Sequence, residues 1–325
     1  MVWDFFVSLL PLSLARMPAV NVSNTSSGEI AVVLAMFGTA REAGVSALLH
    51  VRDVFSAAFP RTAVHMSFTS DVLRAIWHRR RKDKAYLRAH PVIPTEVFAC
   101  RSPLAVIADL HDQGYKTLVV QAVHVAPGEE YLDLCHLVET LAGLRTVHPD
   151  QQPLLRLAVG RPVLGGDPAG KRSAGKDIRA AAAALGEDVR LAEERDAALL
   201  YMGHGSKRLP LGHHYQELSV CMEQMYPRVL TRIGILEGFP SLEQLLEELR
   251  ARQTQRVILR PLLVAAGNHV VEDMTQGPAS WKERLEAAGI EVAVKCQGLG
   301  ESDAFTAILV RHAREAAVDA GLFLA

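Results

Sequence analysis

A chain of 325 residues is long enough for roughly two domains, and 49% hydrophobic with 22% charged residues is typical of a globular protein. Lysine and arginine total 35 against 36 acidic residues, so overall charge gives no case for binding nucleic acid or an anionic membrane surface. The four cysteines are far apart with no CxxC pair, which argues against a disulfide framework or a cysteine-rich zinc site and favours a reducing compartment.

Residues 1–28 are predicted to be a disordered or targeting extension. The apolar stretch Val2–Leu14 is too short to span a bilayer, which needs about 20 residues. It also lacks a basic start and a following cleavage site of small residues, so a signal peptide is the weaker interpretation. We therefore expect a cytoplasmic protein without membrane association, or a periplasmic one if this segment acts as a signal.

The first half, residues 29–160, alternates apolar runs of strand length with helical patterns. Ser70 or Asp71 can cap the second helix, which begins at Val72. The predicted strands are 29–37, 62–68, 117–125 and 154–159, and the other predicted helices are 42–58, 102–113 and 131–144. This order predicts a parallel sheet with helical crossovers.

Residues 161–195 are predicted to be a connection with a loop and one helix at 178–185. The second half, residues 196–325, repeats the alternation and opens on a strand that contains His204. Its other predicted strands are 229–236, 256–264 and 291–295, and its helices are 216–225, 241–252, 280–288 and one from Asp303. The predicted fold is α/β, with two similar domains that each hold a parallel sheet flanked by helices.

An internal repeat supports this duplication. Residues 102–128 and 241–267 align without a gap at a constant offset of 139, each as helix, strand and glycine turn. Extending the alignment pairs Phe98 with Glu237 and Glu130 with His269. We also pair the turns after the two first strands, so that Gly38-Thr39 corresponds to Gly203-His204.

His204, Glu237 and His269 are predicted to form a metal site in the second half. Each lies at or beyond the carboxyl end of a predicted strand. Neighbouring parallel strands lie about 4.8 Å apart, so these ends can bring the three side chains together. Two imidazoles and a carboxylate suit a borderline divalent metal. Each residue alone has an ordinary structural interpretation. His213-His214 is a reserve pair, and the same ligand types also fit an iron oxygenase or a metal carrier without catalysis.

A nucleotide site is not expected. The segment Gly165–Gly170 is rich in glycine but lacks the Walker lysine with serine or threonine and has no strand-to-helix setting.

Several motifs resemble one known family. They are Met-Phe-Gly-Thr at 36–39, Phe-Thr-Ser at 68–70, Val-His-Val-Ala-Pro-Gly-Glu-Glu-Tyr at 123–131, Met-Gly-His-Gly at 202–205, Leu-Glu-Gly-Phe-Pro at 236–240, Val-Ala-Ala-Gly-Asn-His at 264–269, Ser-Trp-Lys at 280–282 and Ala-Ala-Gly-Ile at 287–290. This set is similar to the anaerobic sirohydrochlorin cobalt chelatases of class II, in family order over about residues 30–318.

The resemblance implies a tetrapyrrole cleft between two α/β domains and insertion of Co²⁺ into sirohydrochlorin during cobalamin synthesis, without ATP. It implies His204, Glu237 and His269 as metal ligands. We further predict that His204 and His269 accept pyrrole protons as the metal transfers, with His204 as the principal base. Asn268 stands where the family commonly has an acidic residue, which puts metal preference in doubt, and residues 1–28 have no family counterpart. Fe²⁺ or Ni²⁺ insertion and a carrier of metal or tetrapyrrole stay alternatives, and haem binding and homo-oligomer formation stay open.

The macrocycle is a polycarboxylate, so basic groups near the cleft are expected. Arg41, Lys207 and Arg208 follow the two first-strand turns and are the candidates. The other predicted substrate-binding residues are Phe37, Gly38, Thr39, Gly128 and Glu129.

Overall fold

The computed structural model describes residues 30–148, 154, 156–165 and 174–325, and these form two four-stranded sheets. Our predictions for residues 1–28, and for most of the glycine-rich loop before the connecting helix, lie outside the described residues. The strands are β1 (Ile30–Met36), β2 (Ala63–Phe68), β3 (Thr117–Val123), β4 (Arg156–Gly160), β5 (Ala198–Gly205), β6 (Thr231–Glu237), β7 (Arg256–Pro261) and β8 (Glu291–Val294).

The two sheets have the same strand order. The first sheet runs β2-β1-β3-β4 and the second runs β6-β5-β7-β8. Every neighbouring pair is parallel. The predicted α/β fold with two similar parallel sheets is therefore confirmed.

The central strands are buried along their length. All residues of β1 and β3 are buried, as are the first six of β5. Helices cover both faces of a parallel sheet, so its inner strands are apolar on both sides and appear as unbroken apolar runs. This explains why the sequence identified these strands.

The helices carry the crossovers between strands. They are α1 (Glu42–Ala58), α2 (Asp71–Lys82), α3 (Lys84–Ala89), α4 (Thr95–Phe98), α5 (Pro103–Asp112), α6 (Glu129–Ala142), α7 (Ala174–Ala184), α8 (Gly186–Glu194), α9 (Gly212–Met225), α10 (Leu242–Ala251), α11 (Trp281–Ala287) and α12 (Asp303–Asp319). A π-helix spans Val270–Gln276 and a 3₁₀ helix spans Leu299–Glu301.

The predicted helices agree with the structure within a few residues. The ends of α1 are as predicted, and Ser70 caps α2 because its hydroxyl accepts a hydrogen bond from the backbone N–H of Leu73. The short helices α3, α4 and α8 and the π-helix were not predicted. Each has fewer than ten residues, too few for a helical periodicity to stand out.

The last helix returns to the first sheet. α12 packs against β3, β4 and α1, although its residues follow the second sheet in the chain. Beyond α12, the Arg61 backbone N–H donates to the carbonyl of Ala325 at 3.0 Å. The domain limits at 29–160, 161–195 and 196–325 stay a prediction, and the structure shows that chain order and packing differ at the C-terminal helix.

The sheet registers relate the two halves residue by residue. Ala35 of β1 pairs with Ala122 of β3, and Met202 of β5 pairs with Pro261 of β7. Ala122 and Pro261 are separated by 139 residues in the sequence, which is the offset of every aligned pair in the repeat. Ala35 and Met202 therefore occupy corresponding positions in the two sheets.

This correspondence corrects the predicted alignment of the first turns. Two residues beyond Ala35 and Met202 lie Phe37 and His204, so these two correspond. The next residues, Gly38 and Gly205, both have positive φ, at 98° and 77°. The pairing of Gly38 with Gly203 is therefore wrong by two residues, because sequence alone did not fix the register of the first strands.

The third correspondence is also changed. On β2 and β6, the residues beside Ala35 and Met202 are Ser67 and Gly234. Three positions further, Ser70 corresponds to Glu237. The predicted partner of Glu237, Phe98, lies in α4 instead, so the constant offset does not extend across the loop before α5.

Candidate metal centre

The first candidate ligand lies in the turn that ends β5. Gly205 has φ of 77°, and a Cβ there would lie 2.4 Å from the carbonyl oxygen of Glu237, so only glycine fits without strain. This turn leaves the His204 side chain half-buried, with Nδ1 3.1 Å from the carbonyl oxygen of Gly205. A hydrogen bond there needs the proton on Nδ1, which leaves the lone pair on Nε2.

The second candidate ligand faces the first. His269 lies at the start of the π-helix, and its ring centroid is 4.8 Å from that of His204, with the rings at 81°. Its Nδ1 lies 2.7 Å from a carboxylate oxygen of Asp273. A carboxylate behind a histidine fixes the ring and leaves Nε2 with its lone pair, as is usual for metal-binding histidines. The structure therefore brings two potential nitrogen donors together.

The backbone of Glu237 lies beside the end of β5 that carries His204, but its side chain contacts a lysine. It is opposite Gly205 in the β5–β6 register, while its carboxylate lies 3.2 Å from Lys207 Nζ. Within the described part of the chain, no three His, Cys, Asp or Glu side chains are grouped closely enough to hold a metal ion. The three-ligand set stays a prediction.

A cleft of about 430 Å³ lies between the carboxyl ends of the two sheets, and His204 and His269 line its second-half wall. Of the predicted substrate-binding residues, Phe37, Gly38, Thr39 and Gly128 line the cleft. Glu129 lies outside this lining.

Two arginines cross between the halves at corresponding places. Arg41 Nε donates to Asn268 Oδ1 at 2.7 Å, and Arg208 Nη1 lies 3.7 Å from a carboxylate oxygen of Glu129. In both turns the arginine backbone N–H donates to the hydroxyl two residues earlier, at 3.1 Å. Glu129 and Asn268 correspond at the 139-residue offset. Each half thus extends an arginine to the same position of the other half.

The sequence analysis missed one histidine of the cleft. His124 follows β3 and lines the cleft, and both of its ring nitrogens are shielded from solvent and have no hydrogen-bond partner within the described ranges. Burial lowers the pKa of His124 to about 4, so the imidazole is neutral at pH 7. It lies within the motif at residues 123–131. The sequence did not show whether the His124 side chain points into the cleft or away from it.

The reserve pair lies elsewhere. His213 and His214 stack with ring centroids 3.9 Å apart, and His213 Nδ1 lies 2.8 Å from the carbonyl oxygen of Pro210. Burial, and then the charge of His213, lower the pKa of His214 to about 4. Neither residue lines the cleft.

In the described ranges, no helix is both long enough and apolar enough to cross a membrane.

Comparison with known proteins gives one family. The model of the cobalt chelatase (CbiK) family matches residues 30–318. Sirohydrochlorin cobaltochelatase CbiKC of Nitratidesulfovibrio vulgaris is 30% identical over 283 residues, which cover 86% of this chain and 88% of that protein. The sirohydrochlorin cobaltochelatase of Salmonella typhimurium is 30% identical over 218 residues, covering 66% and 74%.

Solved structures share the fold. SirB from Bacillus subtilis with Fe³⁺ superposes with a TM-score of 0.57 at 13% identity, covering 91% of this chain and 98% of that one. A second SirB structure, in complex with cobalt, gives a TM-score of 0.54 at 12% identity, covering 90% and 96%. At this identity the likeness concerns the fold alone.

Proposed function

This chain belongs to the cobalt chelatase family, and from that membership we propose that it inserts Co²⁺ into sirohydrochlorin without ATP. The observation that carries the proposal is the His204–His269 pair, whose rings lie 4.8 Å apart on the wall of a cleft between two parallel sheets. The relatives named sirohydrochlorin cobaltochelatase support the choice of metal and macrocycle.

The metal ion is a substrate in this reaction, so it must be held and then released. His204 and His269 each have Nε2 available, and Glu237 becomes the third ligand once its carboxylate leaves Lys207. Lys207 is 79% exposed, so its ammonium can turn into solvent without loss of packing. Three protein ligands leave open coordination positions for the macrocycle nitrogens. Mixed imidazole and carboxylate ligation suits Co²⁺ and also accepts Fe²⁺ or Ni²⁺.

Insertion exchanges protein ligands for pyrrole nitrogens and releases two protons. Each metal–pyrrole bond forms as the nitrogen loses its hydrogen, so the step needs a nearby base rather than phosphate chemistry. As the metal passes to the macrocycle, His204 and His269 regain their lone pairs and can accept protons. His204 is the principal base in this proposal.

The macrocycle is flat, apolar at its centre and anionic at its rim. Phe37 is 45% exposed in the cleft wall and offers an aromatic face, while Gly38, Thr39 and Gly128 leave room beside it. Arg41 and Arg208 are exposed enough to exchange their present partners for substrate carboxylates, and Lys207 joins them when Glu237 turns to the metal. Glu129 then acts by holding Arg208 and Ser206 rather than by touching substrate.

The test is conversion of sirohydrochlorin and Co²⁺ to the cobalt complex by the purified protein without ATP, followed by absorbance. Competition among Co²⁺, Fe²⁺ and Ni²⁺ identifies the preferred metal. Tight binding of both substrates without turnover would indicate a carrier, and oxygen consumption with Fe²⁺ and a co-substrate would indicate an oxygenase. A His204→Ala variant that keeps the full rate would contradict the role assigned to His204.

A further inference from the structure

His124 stands on the first-half wall of the cleft, at the carboxyl end of β3. Its backbone carbonyl accepts a hydrogen bond from the N–H of Val163 at 3.1 Å, so the segment beyond β3 is held in place. The His204–His269 pair belongs to the second half, since His204 lies in β5 and His269 lies beyond β7. His124 and the histidine pair therefore line one cleft but come from different halves of the chain.

The ring of His124 has no hydrogen-bond partner among the residues that the structure describes. Both of its nitrogens are shielded from solvent. Buried polar atoms in native proteins are nearly always hydrogen-bonded, and an exception calls for an explanation such as a catalytic role. A neutral imidazole has one donor and one acceptor, so once the side chain turns a ring nitrogen towards the cleft, this ring can both give and receive a hydrogen bond from a ligand.

The fold does not need a histidine at this position. At the 139-residue offset the corresponding residue of the second half is Leu263, which lines the same cleft. A leucine there satisfies the packing at a strand end of the same register. Histidine at position 124 thus introduces an unpaired polar group where an apolar side chain fits, and stability is a common sacrifice at functional positions.

We propose that His124 is a further proton acceptor of the cleft, taking one pyrrole hydrogen from the bound macrocycle. This inference rests on the proposed function. The pyrrole N–H bond breaks and an N–H bond forms on the imidazole, while the electron pair stays on the pyrrole nitrogen and bonds to the metal. A histidine that is not a metal ligand keeps its lone pair while the ion is held, which the ligand pair cannot do.

Burial also favours release of the accepted proton. An imidazolium in this wall is destabilised by desolvation, in accord with the lowered pKa of His124, so the proton passes to water when the product leaves. The residue is thereby reset to its neutral form for the next cycle.

The experiment compares His124→Leu and His124→Gln with the unsubstituted protein in the Co²⁺ insertion assay. Leucine copies the second-half residue, and glutamine keeps hydrogen bonding but cannot accept a proton. We expect kcat to fall about 100-fold in both, at the low end of the effect of a positioned proton-transfer group. KM for sirohydrochlorin should rise in His124→Leu and stay close to its original value in His124→Gln.

Two further readouts separate this role from others. Binding of Co²⁺ alone should be unchanged, because His124 is not a ligand, and His124→Leu should unfold at a higher temperature. The matched control is His65→Leu, since His65 also has an unpartnered, shielded Nε2 but lines a different pocket. This control should keep the original kcat.

An unchanged kcat in His124→Leu, a full recovery in His124→Gln, or loss of Co²⁺ binding would each overturn the inference. If His124→Leu does not fold, the kcat of His124→Gln decides. No insertion by the unsubstituted protein would contradict the proposed function instead, so the two failures are distinguishable.

Discussion

Phe37 and His204 occupy the same position in the two sheets, each just before a glycine with positive φ. Ser70 and Glu237 also correspond, where Ser70 lies two residues beyond β2 and Glu237 is the last residue of β6. The backbone of each turn is thus compatible with apolar, hydroxyl or metal-binding side chains. The difference teaches that the duplicated fold supplies the positions, while the second half supplies the close pair of imidazoles, His204 and His269.

At one position of the cleft wall, the first half has a histidine and the second half has an apolar residue. The first half has His124 where the second half has Leu263, and Glu130 where the second half has His269. Each half therefore contributes polar groups that its counterpart lacks. The cleft is built from two similar units, but the polar groups that they place in its wall differ.

The largest effect is expected from replacing His204 by its counterpart. His204→Phe should lower the insertion rate about 1,000-fold, within the range for loss of a proton-transfer group, while the turn folds as it does around Phe37. The measurements are insertion by absorbance and Co²⁺ binding by calorimetry. His213→Phe is the control, because His213 is exposed outside the cleft. Full activity in His204→Phe would remove the functional distinction between the halves.

The two turn glycines should differ in what they tolerate. A Cβ at Gly205 meets the backbone oxygen of Glu237 at 2.4 Å, whereas one at Gly38 meets the Phe68 ring at 2.8 Å. The Phe68 side chain can move to relieve its contact, whereas the backbone of Glu237 is held in a strand paired with β5. We expect Gly205→Ala to destabilise by about 3 kcal/mol and Gly38→Ala by about 1–2 kcal/mol, measured by urea unfolding. Equal losses would mean that both turns are equally constrained.

Lowering the pH should reduce the free energy of unfolding more in the protein with His124 than in the His124→Leu variant. Its pKa is lowered to about 4 from 6.5, so between these values the unfolded chain binds a proton that the folded protein does not. Stability is therefore fully present above pH 6.5 and falls as the pH drops towards 4. From pH 7 to pH 5 the unsubstituted protein should lose about 1–2 kcal/mol more than His124→Leu. Parallel pH curves from urea unfolding would contradict the burial of a neutral His124.

The smallest effect is expected at the crossing arginines. Arg41→Gln and Arg208→Gln should each raise KM for sirohydrochlorin about tenfold, because one charged contact to a carboxylate is lost, with kcat little changed. Stability should change by less than about 1 kcal/mol, since both arginines are exposed. Arg190→Gln is the control, because Arg190 is exposed and forms an ion pair with Glu194 on its own helix. An unchanged KM in both variants would leave the arginines a purely structural role.

Much of the fold followed from local patterns. The buried strands and long helices were predicted within a few residues because parallel sheets give continuous apolar runs and helices give a 3.6-residue period. Short helices such as α4 and α8 could not be predicted in this way. The family resemblance named the cobalt chelatases correctly, because its motifs occur in order over the same residues that the family model matches.

The candidate site was predicted less completely. The sequence selected His204 and His269, and the structure brings their rings within 4.8 Å. It did not indicate that Glu237 pairs with Lys207 or that His124 shares the cleft. Both facts depend on side-chain direction and on contacts between elements far apart in the chain. The spacing of residues in the sequence does not show either.

The sequence by itself determined the alternation of strands and helices, the duplication and the histidines at strand ends, because these depend on local periodicity and on residue type. Only the tertiary structure decided that Phe37 corresponds to His204, that α12 packs on the first sheet, and that the arginines cross to corresponding positions. Register and packing are set by pairing between distant segments, where a shift of two residues keeps each side chain on its face and leaves the local pattern unchanged.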